Sequence, residues 1–193
     1  TSSHHQHDFS DHSIIHWAEA VANQFKVSRQ DQDEFAYHSH MKALKAQAEN
    51  RFQEQIAPIT VDQIFLDANG KKATKTYTVT KDEGPRAGTS KEALAKLRAV
   101  FAAGGSVTAG NSSQMSDGAA FVMVMSEDMV KELNIEPIAR MVNYAAAGVE
   151  PRIMGIGPVA AIPKALKQAG LKQNDIDLIE LNEAFASQSL AVI

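Results

Sequence analysis

The chain has 193 residues, 44% hydrophobic, 22% charged and 6% aromatic, the make-up of an ordinary globular protein with one substantial domain or two small ones. A formal charge of −4 argues against a nucleic-acid partner or an anionic membrane surface. Cysteine is absent, which removes disulfides, thiolate metal sites and a cysteine nucleophile from these residues, and no apolar run approaches the ~18 residues of a membrane span.

In chain order, five of the seven histidines come first: His4, His5, His7, His12 and His16. Imidazole suits zinc, copper and nickel. The spacing is irregular, however, and Ser, Gln and Asp surround it, so a disordered, tag-like terminus over residues 1–16 is preferred to a metal site. This stretch has no apolar core of a signal peptide, so no targeting segment is visible. Helical spacing starts near Ser13, where Ile14, Ala18, Val21, Ala22 and Phe25 recur on one buried face. A second helix opens at Ser28, with Ser28-x-x-Asp31 as a variant capping box, and runs to about Asn50 with Phe35, Leu44 and Ala48 inward. His38 and His40 lie two residues apart on it, on different faces, and cannot share a ligand. They read as surface or packing residues.

Ile56–Val61 is predicted as a short strand with Pro58 marking an edge. Ile64–Leu66 and the alternating Thr74–Thr80 run form a hairpin about Asn69-Gly70. Residues 81–88 are a loop by their Gly and Pro content. Thr89-x-x-Glu92 is a capping box opening a helix that buries Leu94 and Leu97. Lys91, Lys96 and Arg98, with Arg86 just before, could hold phosphate at that helix start. On charge pattern alone a solvated face is the preferred reading.

From Ser106 the character changes. Ser106–Ala109 is short and extended, and Gly110–Gly118 is small and polar, which lets a ligand approach the backbone closely. Ala119–Met125 is a continuous apolar run, the pattern of a strand buried on both faces. Ser126 caps a short helix through Leu133, and Ile138–Tyr144 is a second buried strand. Gly155-Ile156-Gly157-Pro158 leads into a helix over 159–169 that Gly170 closes. Ile176–Leu181 is a third strand, and 182–186 turns into the last helix. Strands alternating with helices imply an α/β layered sheet, whose sites lie at strand carboxyl ends, and Asn182 is at one. Taken alone, Asn182 reads as the cap of the last helix.

Several blocks, in order along the chain, resemble the thiolases. Asn182-Glu183-Ala184-Phe185-Ala186 resembles their NEAFA motif. Thr108–Gln114 with Ser116–Ala120 resembles their TAGN-x-S…DGAA block. Met154–Pro158 resembles their MG-x-GP turn, and Asp82–Arg86 their DE-x-x-R loop. The resemblance covers roughly residues 17–193 and leans to the degradative 3-ketoacyl-CoA thiolases. It implies the thiolase fold, a layered α-β-α-β-α arrangement in the α/β class, of which this is a partial chain. Residues 17–105 would be the CoA-covering loop domain, 106–134 the last strand and helix of the N-terminal half, and 135–193 the start of the C-terminal domain.

The resemblance also implies an activity: acetyl-CoA C-acyltransferase, cleaving 3-ketoacyl-CoA with CoA in fatty-acid β-oxidation. CoA is then a substrate, and no separate cofactor or metal is implied. By resemblance, Asn182 holds the water of an oxyanion hole, and Arg86 packs on the adenine of CoA. Ser113 hydrogen-bonds the pantetheine arm, Phe101 and Met154 line its tunnel and the acyl pocket, and Ala184 and Phe185 form the wall beside the thioester. The family's two cysteines and its later histidine are not among these residues, so the chain alone is expected to be inactive. The alternatives are a non-catalytic, thiolase-like protein that binds CoA esters or lipid, and a scaffold supporting a partner subunit. A homodimer or homotetramer is implied for the full-length protein. It would be cytoplasmic if bacterial and peroxisomal or mitochondrial otherwise.

Overall fold

A computed structural model describes residues 11–193, with side chains from His16 onward. His4, His5 and His7, and the side chains of His12 and Ile14, therefore lie outside the described residues. Helix α1 (Asp11–Gln24) begins inside the stretch expected to be disordered, two residues before the predicted helical start. It buries Trp17, Ala18, Glu19, Val21 and Ala22, whereas Phe25, just past its end, is exposed. Trp17, Ala18 and Val21 pack with Val107 and Ile153 into the main core, with Phe101, Ile156, Phe185 and Ala191 against it. Gly155 lets the chain run close under Trp17: a Cβ there would collide with the indole ring and lie 2.9 Å from Gln188 Cγ.

Helix α2 (Arg29–Ala48) starts as the sequence predicts. Ser28 Oγ accepts from the Asp31 N–H at 3.1 Å, and the Asp31 carboxyl reaches back to the Ser28 N–H. Its buried face is different, though, carrying Gln32, Asp33 and Ala36. Phe35 and Leu44 are half-buried and Ala48 is exposed. The reason is the neighbour, since α2 faces the polar 106–111 segment and meets it with an amide and a carboxyl.

Strands β1 (Ile59–Leu66) and β2 (Lys72–Val79) form an antiparallel hairpin with Ile59 opposite Val79 and Leu66 opposite Lys72. The two short strands expected over 56–66 are thus one, starting after Pro58. Asp67 Oδ1 accepts from the Asn69 and Lys71 N–H groups, and Gly70 takes φ 72°, which closes the turn. Helix α3 (Lys91–Ala95) is capped by Ser90 rather than Thr89, its Oγ accepting from the Ala93 N–H at 3.1 Å. Glu92 is then the second helical residue, one short of the capping-box position. The backbone N–H at its own position and the Ser90 hydroxyl hold its carboxyl below the ordinary value. Leu94 is buried, but the helix stops before Leu97, which is exposed.

Lys91 donates to Glu34 Oε1 on α2 at 2.6 Å, with His38 3.5 Å away. The bond and charge of Lys91, then those of His38, hold the Glu34 carboxyl below its ordinary value of 4.5. A carboxyl depressed on folding stabilises above its unfolded pKa, and that contribution fades as pH falls through the lower folded value. Lys91→Met is therefore expected to be less stable than the parent at pH 7, with the gap closing as pH drops below about 4. Chemical denaturation across that range measures it.

Helix α4 (Glu127–Glu132) is capped by Ser126, whose Oγ accepts from the Met129 N–H at 3.2 Å. A 3-10 turn (Pro151–Ile156) runs into α5 (Gly157–Ala169), which ends on Gly170 at φ 70°. Helix α6 (Ala186–Val192) is the last, and it packs on α1 and α2.

The strand assignments in the second half of the chain are where the sequence reading and the structure part. Among the described residues the sheet holds only β1 and β2. Residues 119–125, 138–144 and 176–181 contain no strand, and Phe121 (98%), Ile138 (105%) and Leu178 (75%) are exposed rather than buried. A strand is defined by ladder partners for its N–H and C=O groups. Among the described residues these three segments make no ladder hydrogen bonds. Ser106–Ala109 keeps one such contact, an isolated bridge between Thr108 and Ala99.

Candidate functional site

The site grows out of a buried polar network rather than a pocket. Glu19, on the otherwise apolar buried face of α1, accepts from the Ser106 N–H at 2.9 Å, the Ser106 hydroxyl at 3.0 Å and the Val107 N–H at 2.8 Å. Gln32 of α2 donates through Nε2 to Ser106 Oγ at 3.0 Å and to the Val27 carbonyl at 3.3 Å. Asn111 closes the following turn and reaches Asp33 on α2. Arg29 pairs with Asp33 Oδ2 at 2.8 Å and donates to the carbonyls of Leu94 and Leu97, which draws α3 into the same network. Residues 106–112 are held from beneath by α1 and α2 together.

The held loop then docks on the segment that precedes α6. The Ser113 N–H donates to the Ala184 carbonyl and the Ala186 N–H to the Asn111 carbonyl, both at 2.9 Å, with Ser112 opposite Phe185 in an antiparallel bridge. Phe185 stands edge-on to Trp17 at 5.0 Å and to Phe101 at 6.0 Å. Ser113, Phe101, Ala184 and Phe185 are thus brought together. Ser113 is exposed above a half-buried aromatic pair, a polar group beside an apolar wall.

The other three candidates stand at the margin. Arg86 is exposed, on a loop whose Gly84 lies against the Gln114 side chain and whose Asp82 carbonyl accepts from Gln47. This loop, Phe52 and Gln114 border a shallow cleft of about 270 Å³ beside α2. Met154 is half-exposed, while its neighbours Ile153 and Gly155 face the core. Asn182 is exposed and does not cap the last helix: the residue in that position is Phe185, with no side-chain cap. Next to it, Glu183 accepts from Ser39 Oγ at 2.5 Å, tying the segment to α2.

Sequence reasoning passed over Glu19, Gln32, Asp33 and Asn111. A carboxylate amid Ala18, Val21 and Ala22 was the one signal available for Glu19. No group of three or more metal-ligating side chains occurs among the described residues, and no described helix is long and apolar enough to cross a membrane.

Residues 3–128 match the family model for the thiolase N-terminal domain, and residues 135–193 match that for the thiolase C-terminal domain. The chain belongs to the thiolase family. This thiolase chain is 49% identical to 3-ketoacyl-CoA thiolase of Bacillus subtilis (strain 168) over 181 residues, 94% of this chain and 46% of that protein. It is 51% identical to peroxisomal 3-ketoacyl-CoA thiolase B of Rattus norvegicus over 173 residues, 90% of this chain and 40% of that protein. The crystal structure of human mitochondrial 3-ketoacyl-CoA thiolase superposes with a TM-score of 0.79 at 45% identity, covering 92% of this chain and 42% of that one. The structure of that enzyme in complex with CoA gives 0.78 at 44% identity, covering 92% and 41%. The thiolase chain spans less than half the length of these relatives. Over that length its backbone follows the thiolase fold.

Proposed function

We propose that this thiolase chain is the central part of an acetyl-CoA C-acyltransferase that transfers an acyl group between 3-ketoacyl-CoA and CoA, in fatty-acid β-oxidation. The observation that carries this reading is the junction of Ser113 with Ala184 and of Asn111 with Ala186, where the two sequence blocks most like the family's meet. A cysteine outside these residues takes the acyl group as the bond between the 2- and 3-carbons breaks. The acetyl-CoA enolate gains a proton, and CoA thiolate then collects the acyl group. Such enolate and tetrahedral oxyanions need fixed donors. In this proposal Asn182 orients a water for one of them, since a neutral amide offers an acceptor and two donors at once.

Ser113 would hydrogen-bond the pantetheine arm above the Phe185–Phe101 wall, with Ala184 beside the thioester and Met154 toward the acyl pocket. Arg86 would stack on the adenine, where a guanidinium stays charged and planar. The full-length protein would be a homodimer or homotetramer, cytoplasmic in a bacterium and peroxisomal or mitochondrial otherwise.

The full-length protein, given acetoacetyl-CoA and CoA, is expected to yield acetyl-CoA. Arg86→Ala should raise KM for CoA about tenfold with kcat little changed, the worth of one cation–π stack. Tight binding of CoA esters with no turnover by the parent would instead identify a non-catalytic CoA-ester-binding protein.

A further inference from the structure

Resting on that reading, we propose that Asn111 is a positioning residue for the acyl transfer, oriented by Asp33 and acting through the Asn182–Phe185 segment. Both residues are buried, Asn111 at 3% exposure and Asp33 at 5%. Every polar group of Asn111 is engaged. Its Oδ1 accepts from the Thr108 N–H at 2.8 Å, and its Nδ2 donates to Asp33 Oδ1 at 3.0 Å and to the Ser106 carbonyl at 3.1 Å. Its backbone N–H donates to the Thr108 carbonyl at 3.3 Å, and its own carbonyl accepts from Ala186 at 2.9 Å. One side chain must supply an acceptor and two donors in fixed directions, which only an amide of this length provides.

The reach of this hub is what goes beyond a well-made turn. On one side Asp33 is locked by Arg29, which also holds the end of α3. On the other side the Asn111 and Ser113 backbone bonds fix Ala184 and Ala186, and Asn182 lies two residues before the first of these. The distance between the Ser113 loop and the oxyanion-hole amide is therefore set through Asn111. A displacement of about 1 Å at a reacting group costs about 10²-fold in rate.

A double-mutant cycle on kcat in the full-length protein tests this. Asn111→Asp is near-isosteric and keeps the acceptor for Thr108, but it sets an oxygen against both Asp33 and the Ser106 carbonyl. It is expected to lower kcat about 10²-fold while the protein keeps a cooperative unfolding transition above the assay temperature. Adding Asn182→Ala to it should change kcat less than about threefold, because both changes remove the same positioned group. Should Asn111→Asp fail to fold, Asp33→Ala withdraws the acceptor for Asn111 Nδ2 from the α2 side, with an expected loss of about tenfold and the same non-additivity. Unchanged kcat in these variants, or losses that simply multiply, overturns the positioning role while leaving the thiolase activity standing. An Asn182→Ala variant with full activity overturns it as well. A parent protein without thiolysis overturns both the role and the activity.

Discussion

Asn182→Ala in the full-length thiolase is expected to lower kcat for thiolysis by about 10²-fold, the usual worth of one oxyanion-hole group. On the proposed role, KM for CoA should move little, because the amide would act on charge that develops only as bonds break. The structure removes the simplest competing role for this residue. A capping Asn would sit immediately before the helix, and the residue there is Phe185, so loss of the amide should leave α6 and the stability of the protein almost unchanged. Steady-state kinetics beside a thermal melt separate the two roles. A variant with full kcat and a lowered melting temperature would return Asn182 to a structural part.

Glu19→Ala is expected to have the largest effect on stability. Removing the carboxyl orphans the Ser106 and Val107 N–H groups, and Val107 is fully buried, so water cannot take the carboxyl's place there. Each buried donor left unpaired costs about 1–3 kcal/mol, which puts the total for the two at about 2–6 kcal/mol. Glu19→Gln keeps one oxygen as acceptor and should cost less than half as much. Chemical denaturation of both variants measures the pair, and a loss under about 1 kcal/mol for Glu19→Ala would mean that residues 106–107 are held by something other than this carboxyl.

What could be read from the sequence was whatever is encoded locally. Ser28-x-x-Asp31, Ser126, Gly170 and the turn at Asn69-Gly70 each specify structure through bonds spanning a few residues, and each is found where its residues stand. The Ser90 cap was missed by one position because Thr89 and Ser90 both carry a suitable hydroxyl. Phe101 and Phe185 were named only by resemblance, one for the tunnel and one for the wall, and their contact was not legible, since they are 84 residues apart. The pairing of Glu19 and Asp33 with this loop was not legible, because nothing in a helical period says that a buried face will meet a polar loop rather than an apolar one, and Asn111 stood in a family-like block that names no partner on α2. The three apolar runs failed for the converse reason. Their composition states how they would be covered, and a ladder needs a second segment that composition cannot name.

The exposed run from Phe121 to Val124 carries a practical consequence. It has high β-propensity, no proline and no charge, and it finds no ladder partner among the described residues, so until other chain covers it, it has the composition of a segment that favours cross-β association. Asp117 before it and Glu127 and Asp128 after it are the nearest charges in sequence. During synthesis or refolding, the interval before this run is covered is the interval in which the protein can be lost to precipitation, and low concentration and low salt during that interval favour recovery of soluble protein.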